Sequence, residues 1–104
     1  MKTEKTTNFD IKEMAENARA AAALLKQLSN EHRLLILCLL MDSELSVGDI
    51  HKQTELSQSS LSQHLGSLRD AGLVKTRRES QSIYYSLDGE ESIQIIEALH
   101  KIYC

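Results

Sequence analysis

The sequence predicts one domain, residues 1–104, that is mainly α-helical and carries a small β-hairpin. Proline is absent, and alanine, leucine, glutamate and lysine are frequent, which is typical of helical proteins. Apolar residues recur at helical spacing near both ends, whereas residues 73–87 alternate in polarity as strands do. Because so short a chain buries only a small core, we expect it to form a homodimer.

The first two predicted helices are separated by a short break. Apolar residues at helical spacing predict the first helix over residues 10–28. Ser29 and Asn30 provide capping side chains, and the second helix is expected from Glu31 to about Met41. Since this second helix is apolar on nearly every side, it is expected to be the central one.

Two short helices are predicted within residues 46–71, after a short loop with the sequence DSE. Ser46 is expected to cap the first of these helices and Ser57 the second, which should end near Ala71. Gly72 follows directly, at the point where a helix end favours a residue in the left-handed conformation.

A hairpin and a last helix complete the predicted domain. The segments "LVKTRRES" and "SIYYSL" are rich in β-branched and aromatic residues and predict two strands within residues 73–87. The tip, near Ser80 to Ser82, lacks an Asn-Gly type of turn signal, so the register of the strands stays open. A last helix is predicted over residues 90–103, and it and the helix over residues 10–28 are the candidate dimerisation helices.

Positive charge is concentrated in one block of an otherwise acidic chain. The formal net charge is −3, yet residues 57–78 sum to +3, because they contain four basic residues and one acidic residue. Residues 1–56 sum to −2 and residues 79–104 to −4. A basic block at two short helices and a hairpin indicates a surface for a polyanion such as DNA, despite the acidic total.

Two short helices followed by a basic hairpin predict a winged helix-turn-helix. The leucines of the second short helix, Leu61, Leu65 and Leu68, hold it against the core, so its polar side chains point outward. The start of such a helix enters the major groove, and wing arginines follow the backbone or a minor groove. The predicted DNA-binding residues are Ser57, Gln58, Ser59, Ser60, Ser62, Gln63, His64, Arg77 and Arg78.

Plainer interpretations of these residues stay open. A serine-rich helix face by itself is equally compatible with a merely solvated surface, and arginines on a hairpin with a solvated edge. His64 lies beside the leucine face and is a candidate core histidine as well as a DNA contact. A winged helix used only for protein contacts is a further alternative, although the basic wing favours DNA.

The segment "LSVGDIHKQTELSQSSLSQHLGSLRDAGLVKTRRESQSIYYSL" resembles the winged-helix core of the ArsR/SmtB family of bacterial repressors. The segment "ALLKQLSNEHRLLILCLL" is similar to the first and second helices of that family. The resemblance implies a homodimer built from the first and last helices, with recognition helices about one DNA turn, ~34 Å, apart. It also implies an inverted-repeat operator in double-stranded DNA.

Many members of this family respond to metals, so a metal-sensing site is one interpretation of a chain with this resemblance. The family's arsenic and cadmium sensors carry cysteines where "ELSVGDI" places Ser46 and Gly48, which cannot replace thiolates. Zinc and nickel sensors need paired ligands on the last helix, where Tyr103 takes the place of a second ligand to Asp88, Glu90 and His100. We therefore expect no metal and no other cofactor, and a metal-responsive repressor remains the alternative function.

The two cysteines, Cys38 and Cys104, allow two interpretations. From composition alone, Cys38 is a small core residue and Cys104 an incidental end of the chain. Their placement in "RLLILCLL" and "LHKIYC" resembles the dithiol, persulfide- or redox-sensing branch of the ArsR family. The resemblance implies a repressor or anti-repressor whose operator affinity is switched by reactive sulfur or an oxidant at this pair. An apolar setting should raise the pKa of Cys38 and leave Cys104 as the more accessible attacker.

Other classes of protein are not expected. The start, "MKTEKTTNFDIKEMAEN", lacks the apolar region of a signal peptide, and the apolar run over residues 34–41 is too short to span a bilayer. We therefore expect a cytoplasmic protein that does not bind membranes. The sequence lacks a nucleophile-base pair, a phosphate loop and a recognisable carboxylate pair, so an enzyme is not expected.

Overall fold

The computed structural model describes residues 10–104, which form five helices and a three-stranded antiparallel sheet. The elements in chain order are α1 (Ile11–Leu28), α2 (Glu31–Leu39), β1 (Leu45–Ser46), α3 (Val47–Gln53), α4 (Gln58–Asp70), β2 (Val74–Glu79), β3 (Ser82–Leu87) and α5 (Glu90–Tyr103). The helices α3 and α4 followed by the β2–β3 hairpin confirm the predicted winged helix-turn-helix.

Polar side chains cap the starts of four helices. Asn30 Oδ1 accepts hydrogen bonds from the backbone N–H groups of His32 and Arg33 at 2.9 and 3.0 Å. Ser46 caps α3 and Ser57 caps α4, as predicted, and Asp10 caps α1. Each cap satisfies backbone N–H groups that have no partner within the helix, so these short polar residues fix where the helices begin.

The core confirms that α2 is the central helix. Ile36, Leu37 and Leu40 from the end of α2 are buried, and α2 packs against both α4 and α5. The leucine face of α4 is also buried, as are Ile50 of α3 and Ile96 of α5. None of the helices within residues 10–104 is long and apolar enough to cross a membrane.

The end of α2 and the adjoining strand differ from the prediction. The helix ends at Leu39 instead of near Met41, because Leu40 and Met41 form shorter-range hydrogen bonds that tighten the last turn. The chain then enters β1, in which Leu45 pairs with Tyr85 and Ser46 with Tyr84. A two-residue strand carries no alternation pattern, so the sequence does not reveal it.

The register of the hairpin, left open by the sequence, runs from Val74 opposite Leu87 to Glu79 opposite Ser82. Two residues therefore form its tip, and Ser80, the first of them, has a φ of 56°. A positive φ at that position belongs to the turns that suit the twist of a hairpin. Gly72 has a φ of 79°, which confirms the left-handed residue predicted after α4.

A long apolar surface remains exposed on the protomer. Leu28 is the only buried residue of α1, whereas Ile11, Met14 and Leu25 of that helix are exposed. At the other end of the chain, Ile102 and Tyr103 of α5 are 70% and 81% exposed. These exposed apolar residues lie on the two helices that the sequence predicts to mediate dimerisation.

Candidate nucleic-acid interface and dithiol

The start of α4 presents polar side chains opposite its buried leucines. The exposed residues, called here the polar end of α4, are Ser57, Gln58, Ser59, Ser62 and Gln63. Ser60, also predicted to contact DNA, is half-buried. Gln58 and Ser62 are four positions apart, as are Ser59 and Gln63, so each pair is adjacent on the helix surface and the structure brings most of the predicted contacts together.

The cap of α4 occupies one of these hydroxyl groups. Ser57 Oγ accepts a hydrogen bond from the backbone N–H of Ser60 at 3.1 Å and lies 3.4 Å from Ser59 Oγ. The remaining N–H groups of the first helical turn point out of the helix with a partial positive charge. The arrangement can therefore accept phosphate oxygens as well as base edges.

His64 faces the protein and not the polar end of α4. Its ring lies 5.9 Å, between ring centroids, from that of His32 in α2. Burial lowers the pKa of His64, and the neighbouring positive charges of Arg33 and His32 lower it further. A half-buried imidazole against α2 favours the packing role that the sequence left open for His64.

A hydrogen bond that the sequence did not predict joins α1 to α4. Ser67 Oγ donates to Gln27 Oε1 at 3.1 Å, and this contact is partly buried. Arg33 Nε donates to the backbone carbonyl of Gln27 at 2.7 Å. The end of the candidate dimerisation helix is thus fixed to both the recognition helix and α2.

The two wing arginines lie on opposite faces of the sheet. In the β2–β3 ladder Arg77 is opposite Tyr84 and Arg78 is opposite Ile83, and cross-strand partners share a face. Arg77 forms ion pairs with Glu44 at 2.8 Å and Glu79 at 3.1 Å. Arg78 is exposed and has no ion-pair partner within residues 10–104.

The ion pair between Arg77 and Glu44 shifts the pKa values of both groups. The hydrogen bond from Arg77 holds the pKa of the Glu44 carboxyl below its usual value, although slight desolvation opposes this. The carboxylates of Glu44 and Glu79 raise the already high pKa of Arg77. Both shifts favour the charged forms of Glu44 and Arg77.

The two cysteines are free thiols in different surroundings. Cys38 is half-buried and packs against the core, whereas Cys104 is exposed at the end of α5. Burial raises the pKa of Cys38, as predicted, and the negative charge of a Cys104 thiolate raises it further. Cys38 lies in α2, which packs against α5, and Cys104 directly follows α5, so the fold places the two thiols on adjacent elements.

The described residues contain no set of metal ligands. Between residues 10 and 104, no three His, Cys, Asp or Glu side chains come together as they would around a metal ion. Ser46, which stands where soft-metal sensors of the family carry a thiolate, instead uses its hydroxyl to cap α3, accepting from the Asp49 N–H at 3.1 Å.

A recognition helix with a polar N-terminal end, beside a basic hairpin, defines a winged helix-turn-helix regulator that binds DNA. Residues 30–76 match the family described as "Bacterial regulatory protein, arsR family". The chain belongs to the ArsR family of transcriptional regulators. The relatives that it matches are regulators of transcription and not enzymes.

The transcriptional activator HlyU of Vibrio cholerae is 51% identical over 96 residues, which span 92% of this chain and 89% of that protein. The biofilm growth-associated repressor of Agrobacterium fabrum is 43% identical over 91 residues, which span 88% of this chain and 78% of that protein. These similarities place the chain in the HlyU and biofilm-repressor branch of the family. An activator and a repressor both occur in that branch.

The comparison with solved structures agrees with the comparison of sequences. The structure of reduced HlyU from Vibrio cholerae is 52% identical and matches with a TM-score of 0.87, covering 90% of this chain and 99% of that chain. A homodimeric winged helix-turn-helix DNA-binding domain from Mycobacterium bovis is 29% identical, with a TM-score of 0.76 over 91% of this chain and 87% of that one.

Proposed function

We propose that this regulator binds operator DNA as a homodimer and that oxidation or persulfidation of Cys38 and Cys104 switches its operator affinity. The observation that carries the proposal is that α2, which contains Cys38, packs against α5, and that Cys104 directly follows α5. One thiol is exposed and the other half-buried, so an external reagent reaches Cys104 first. The relative HlyU has been solved in a form described as reduced, which supports a redox-dependent state in this branch.

The proposed DNA contacts are the polar end of α4, in the major groove, and Arg78 on the wing. Ser60 can add a hydroxyl contact at the edge of this surface. The proposal is supported by the exposure of these side chains and by the basic block in which they lie. A homodimer presents two such surfaces, so the proposed operator is an inverted repeat whose half-sites lie about one helical turn, ~34 Å, apart.

The proposed homodimer uses α1 and α5. Support comes from the exposed apolar residues on both helices and from the homodimeric relative of Mycobacterium bovis. Covering Ile11 and Met14 of α1 and Ile102 and Tyr103 of α5 removes apolar surface from water, which is the main favourable term in association. The dimer then fixes the spacing of the two α4 helices.

The proposed chemistry proceeds in two steps with an inorganic polysulfide, tetrasulfide, as oxidant. The Cys104 thiolate attacks the terminal protonated sulfur of hydrogen tetrasulfide and forms a persulfide, while trisulfide leaves with the electron pair of the broken S–S bond. The Cys38 thiolate then attacks Cys104 Sγ, a disulfide forms, and hydrosulfide leaves. The two thiols lose two electrons in total, and the polysulfide gains them.

A bridge between these cysteines would restrain the packing on which α4 depends. Cys38 lies in α2, which contacts both α4 and α5, and Cys104 follows α5 directly. Tying α2 to the end of α5 therefore acts on the core side of the recognition helix and on the candidate dimer helix. Packed interfaces tend to have discrete arrangements, so a small restraint can favour a dimer with the wrong spacing of α4.

The test compares reduced protein with protein treated with sodium tetrasulfide. A labelled DNA duplex, selected from a random library by the reduced wild-type protein, serves as the probe, and mass spectrometry identifies the linked cysteine peptides. We expect treatment to bridge the two peptides and to weaken DNA binding by about a hundredfold, or ~2.8 kcal/mol. A reductant should restore binding.

Cys38→Ser and Cys104→Ser are the matched controls. Each variant retains one thiol and cannot form the intramolecular bridge, so we expect its affinity to be insensitive to tetrasulfide. An unchanged affinity in fully bridged wild-type protein would contradict the switch and leave the DNA-binding function intact. A loss of affinity that persists in both variants would show that the effect does not need the bridge between Cys38 and Cys104.

A further inference from the structure

The side chain of Arg77 crosses the whole sheet of the wing. The strand order is β1-β3-β2, and Arg77 on β2 reaches Glu44, which directly precedes β1. Neighbouring strands are about 4.8 Å apart, so the outer strands are separated by roughly twice that distance. Only a long side chain lying flat on the sheet can make this connection.

The guanidinium of Arg77 is already bound by two carboxylates. Its Nε lies 3.2 and 3.1 Å from the two carboxylate oxygens of Glu44, and its Nη2 donates to Glu44 Oε1 at 2.8 Å. Its Nη1 donates to Glu79 Oε1 at 3.1 Å. Two-nitrogen contact with one carboxylate is the geometry in which arginine binds most specifically.

An aromatic ring also contacts the guanidinium group of Arg77. The guanidinium carbon of Arg77 lies 4.9 Å from the centroid of the Tyr84 ring. Tyr84 lies on the central strand, opposite both Arg77 and Ser46 in the two ladders. Ser46 caps α3, so the Arg77 contact connects the wing with the start of the helix-turn-helix.

The cluster around Arg77 offers no net positive charge to an approaching phosphate. Arg77 with Glu44 and Glu79 carries a local charge of −1, and Lys75, which acts on Glu44, brings it to zero. A DNA phosphate that displaced either carboxylate from Arg77 would lie beside that carboxylate, and the two negative charges would repel each other. Arg78, on the other face, has no carboxylate within ion-pair distance in the described residues.

We propose that Arg77 is a positioning residue that holds the wing through Glu44, and that Arg78 alone of the two arginines carries the wing's contact with DNA phosphate. Glu44 is then a determinant of DNA affinity although its charge is negative. The inference rests on DNA binding by the wing and is independent of the cysteine switch. From the sequence, both arginines were predicted to contact DNA, whereas the inference assigns this contact to Arg78 alone.

The salt dependence of DNA binding distinguishes the two roles. Each phosphate neutralised by a protein cation contributes about 0.9 to the slope of log affinity against log salt concentration. The double variant Glu44→Gln with Arg77→Gln keeps the net charge of the protein constant and removes the ion pair. We expect this variant to bind the DNA duplex selected by the reduced wild-type protein about tenfold more weakly. The slope of log affinity against log salt concentration should stay unchanged, because only the placement of the wing is lost.

Arg78→Gln is the contrasting variant. We expect it to weaken binding and to reduce the slope by about 0.9 for each protomer of the dimer. Exchanging the partners, with Glu44→Arg and Arg77→Glu, restores an ion pair at constant net charge, so we expect affinity within about threefold of wild type. All measurements use fully reduced protein and the selected duplex, with thermal melts to confirm folding.

The salt slopes and affinities of these variants distinguish a positioning role of Arg77 from a contact with phosphate. A slope that falls in the Glu44→Gln, Arg77→Gln variant as much as in Arg78→Gln would overturn the proposal, since Arg77 would then contact phosphate. An exchange variant that folds but binds no better than the double glutamine variant would also overturn it. If the exchange variant does not fold, the slope of the double glutamine variant still decides.

Discussion

Ser67 of the recognition helix donates a hydrogen bond of 3.1 Å to Gln27 near the end of α1, across 40 positions of sequence. The contact is the direct polar link between the candidate dimerisation helix and the helix that reads DNA. Arg33 holds the backbone carbonyl of the same glutamine, so the position of Gln27 is fixed from two sides. Movement of α1 at a dimer interface would therefore be transmitted to α4.

Ser67→Ala removes the donor and leaves Gln27 Oε1 without its partner in a partly buried position. We expect the free energy of unfolding to fall by about 1 kcal/mol, which is typical of one intramolecular hydrogen bond. Urea denaturation at a fixed protomer concentration measures this change, because the stability of a dimer depends on concentration. Ser62→Ala, on the exposed side of the same helix, is the control and should change stability little.

Ser57 has two roles that substitutions can separate. Ser57→Asp retains an N-capping oxygen, so we expect thermal stability close to that of wild type. The added negative charge at the polar end of α4 faces DNA, so we expect at least tenfold weaker binding to the selected duplex. Thermal melts and fluorescence anisotropy report the two effects independently.

Ser57→Ala is the reciprocal control for the cap. It loses the oxygen that accepts from the Ser60 N–H, and we expect a loss of about 1 kcal/mol in the free energy of unfolding. A destabilised Ser57→Asp variant, or one with wild-type DNA affinity, would contradict the assignment of this residue to both roles.

Local signals account for what the sequence predicted correctly. Serine caps at Ser46 and Ser57, the left-handed Gly72 and the leucine spacing of α4 each depend on residues a few positions apart. The burial that raises the pKa of Cys38 also follows from its apolar neighbours in α2. Such features are set within a helical turn or two, so the periodicity of the chain reveals them.

Contacts between distant segments were not predictable in this way. Glu44 and Arg77 are 33 positions apart, and nothing in either segment indicates that the other lies beside it. From the sequence we therefore predicted the same contact with DNA for Arg77 and Arg78, although the strand register places them on opposite faces of the sheet. The strand β1 escaped prediction for the same reason, because it exists only through its pairing with β3.

The exposed apolar residues of α5 predict the effect of a charge at the dimer surface. Ile102 is 70% exposed in the protomer, so Ile102→Glu should leave its fold intact. Placing a carboxylate in a buried interface without a partner is costly, and we expect the dimer dissociation constant to rise at least tenfold. Sedimentation velocity measures the change, and Gln81→Glu at the hairpin tip is the control. An unchanged dimer would place the interface elsewhere.

The raised pKa of Cys38 predicts an order of alkylation. The thiolate is the reactive form, so burial and the charge of Cys104 both reduce reaction at Cys38. In reduced protein at neutral pH we expect iodoacetamide to label Cys104 first, and the midpoint of the pH profile for labelling of Cys38 to lie above the ordinary pKa of a cysteine thiol. In Cys104→Ser the neighbouring negative charge is absent, so the midpoint for Cys38 should move to lower pH. Peptide mass spectrometry across a pH series follows both sites, and a midpoint that does not move would show that the two sulfur atoms are too far apart to interact.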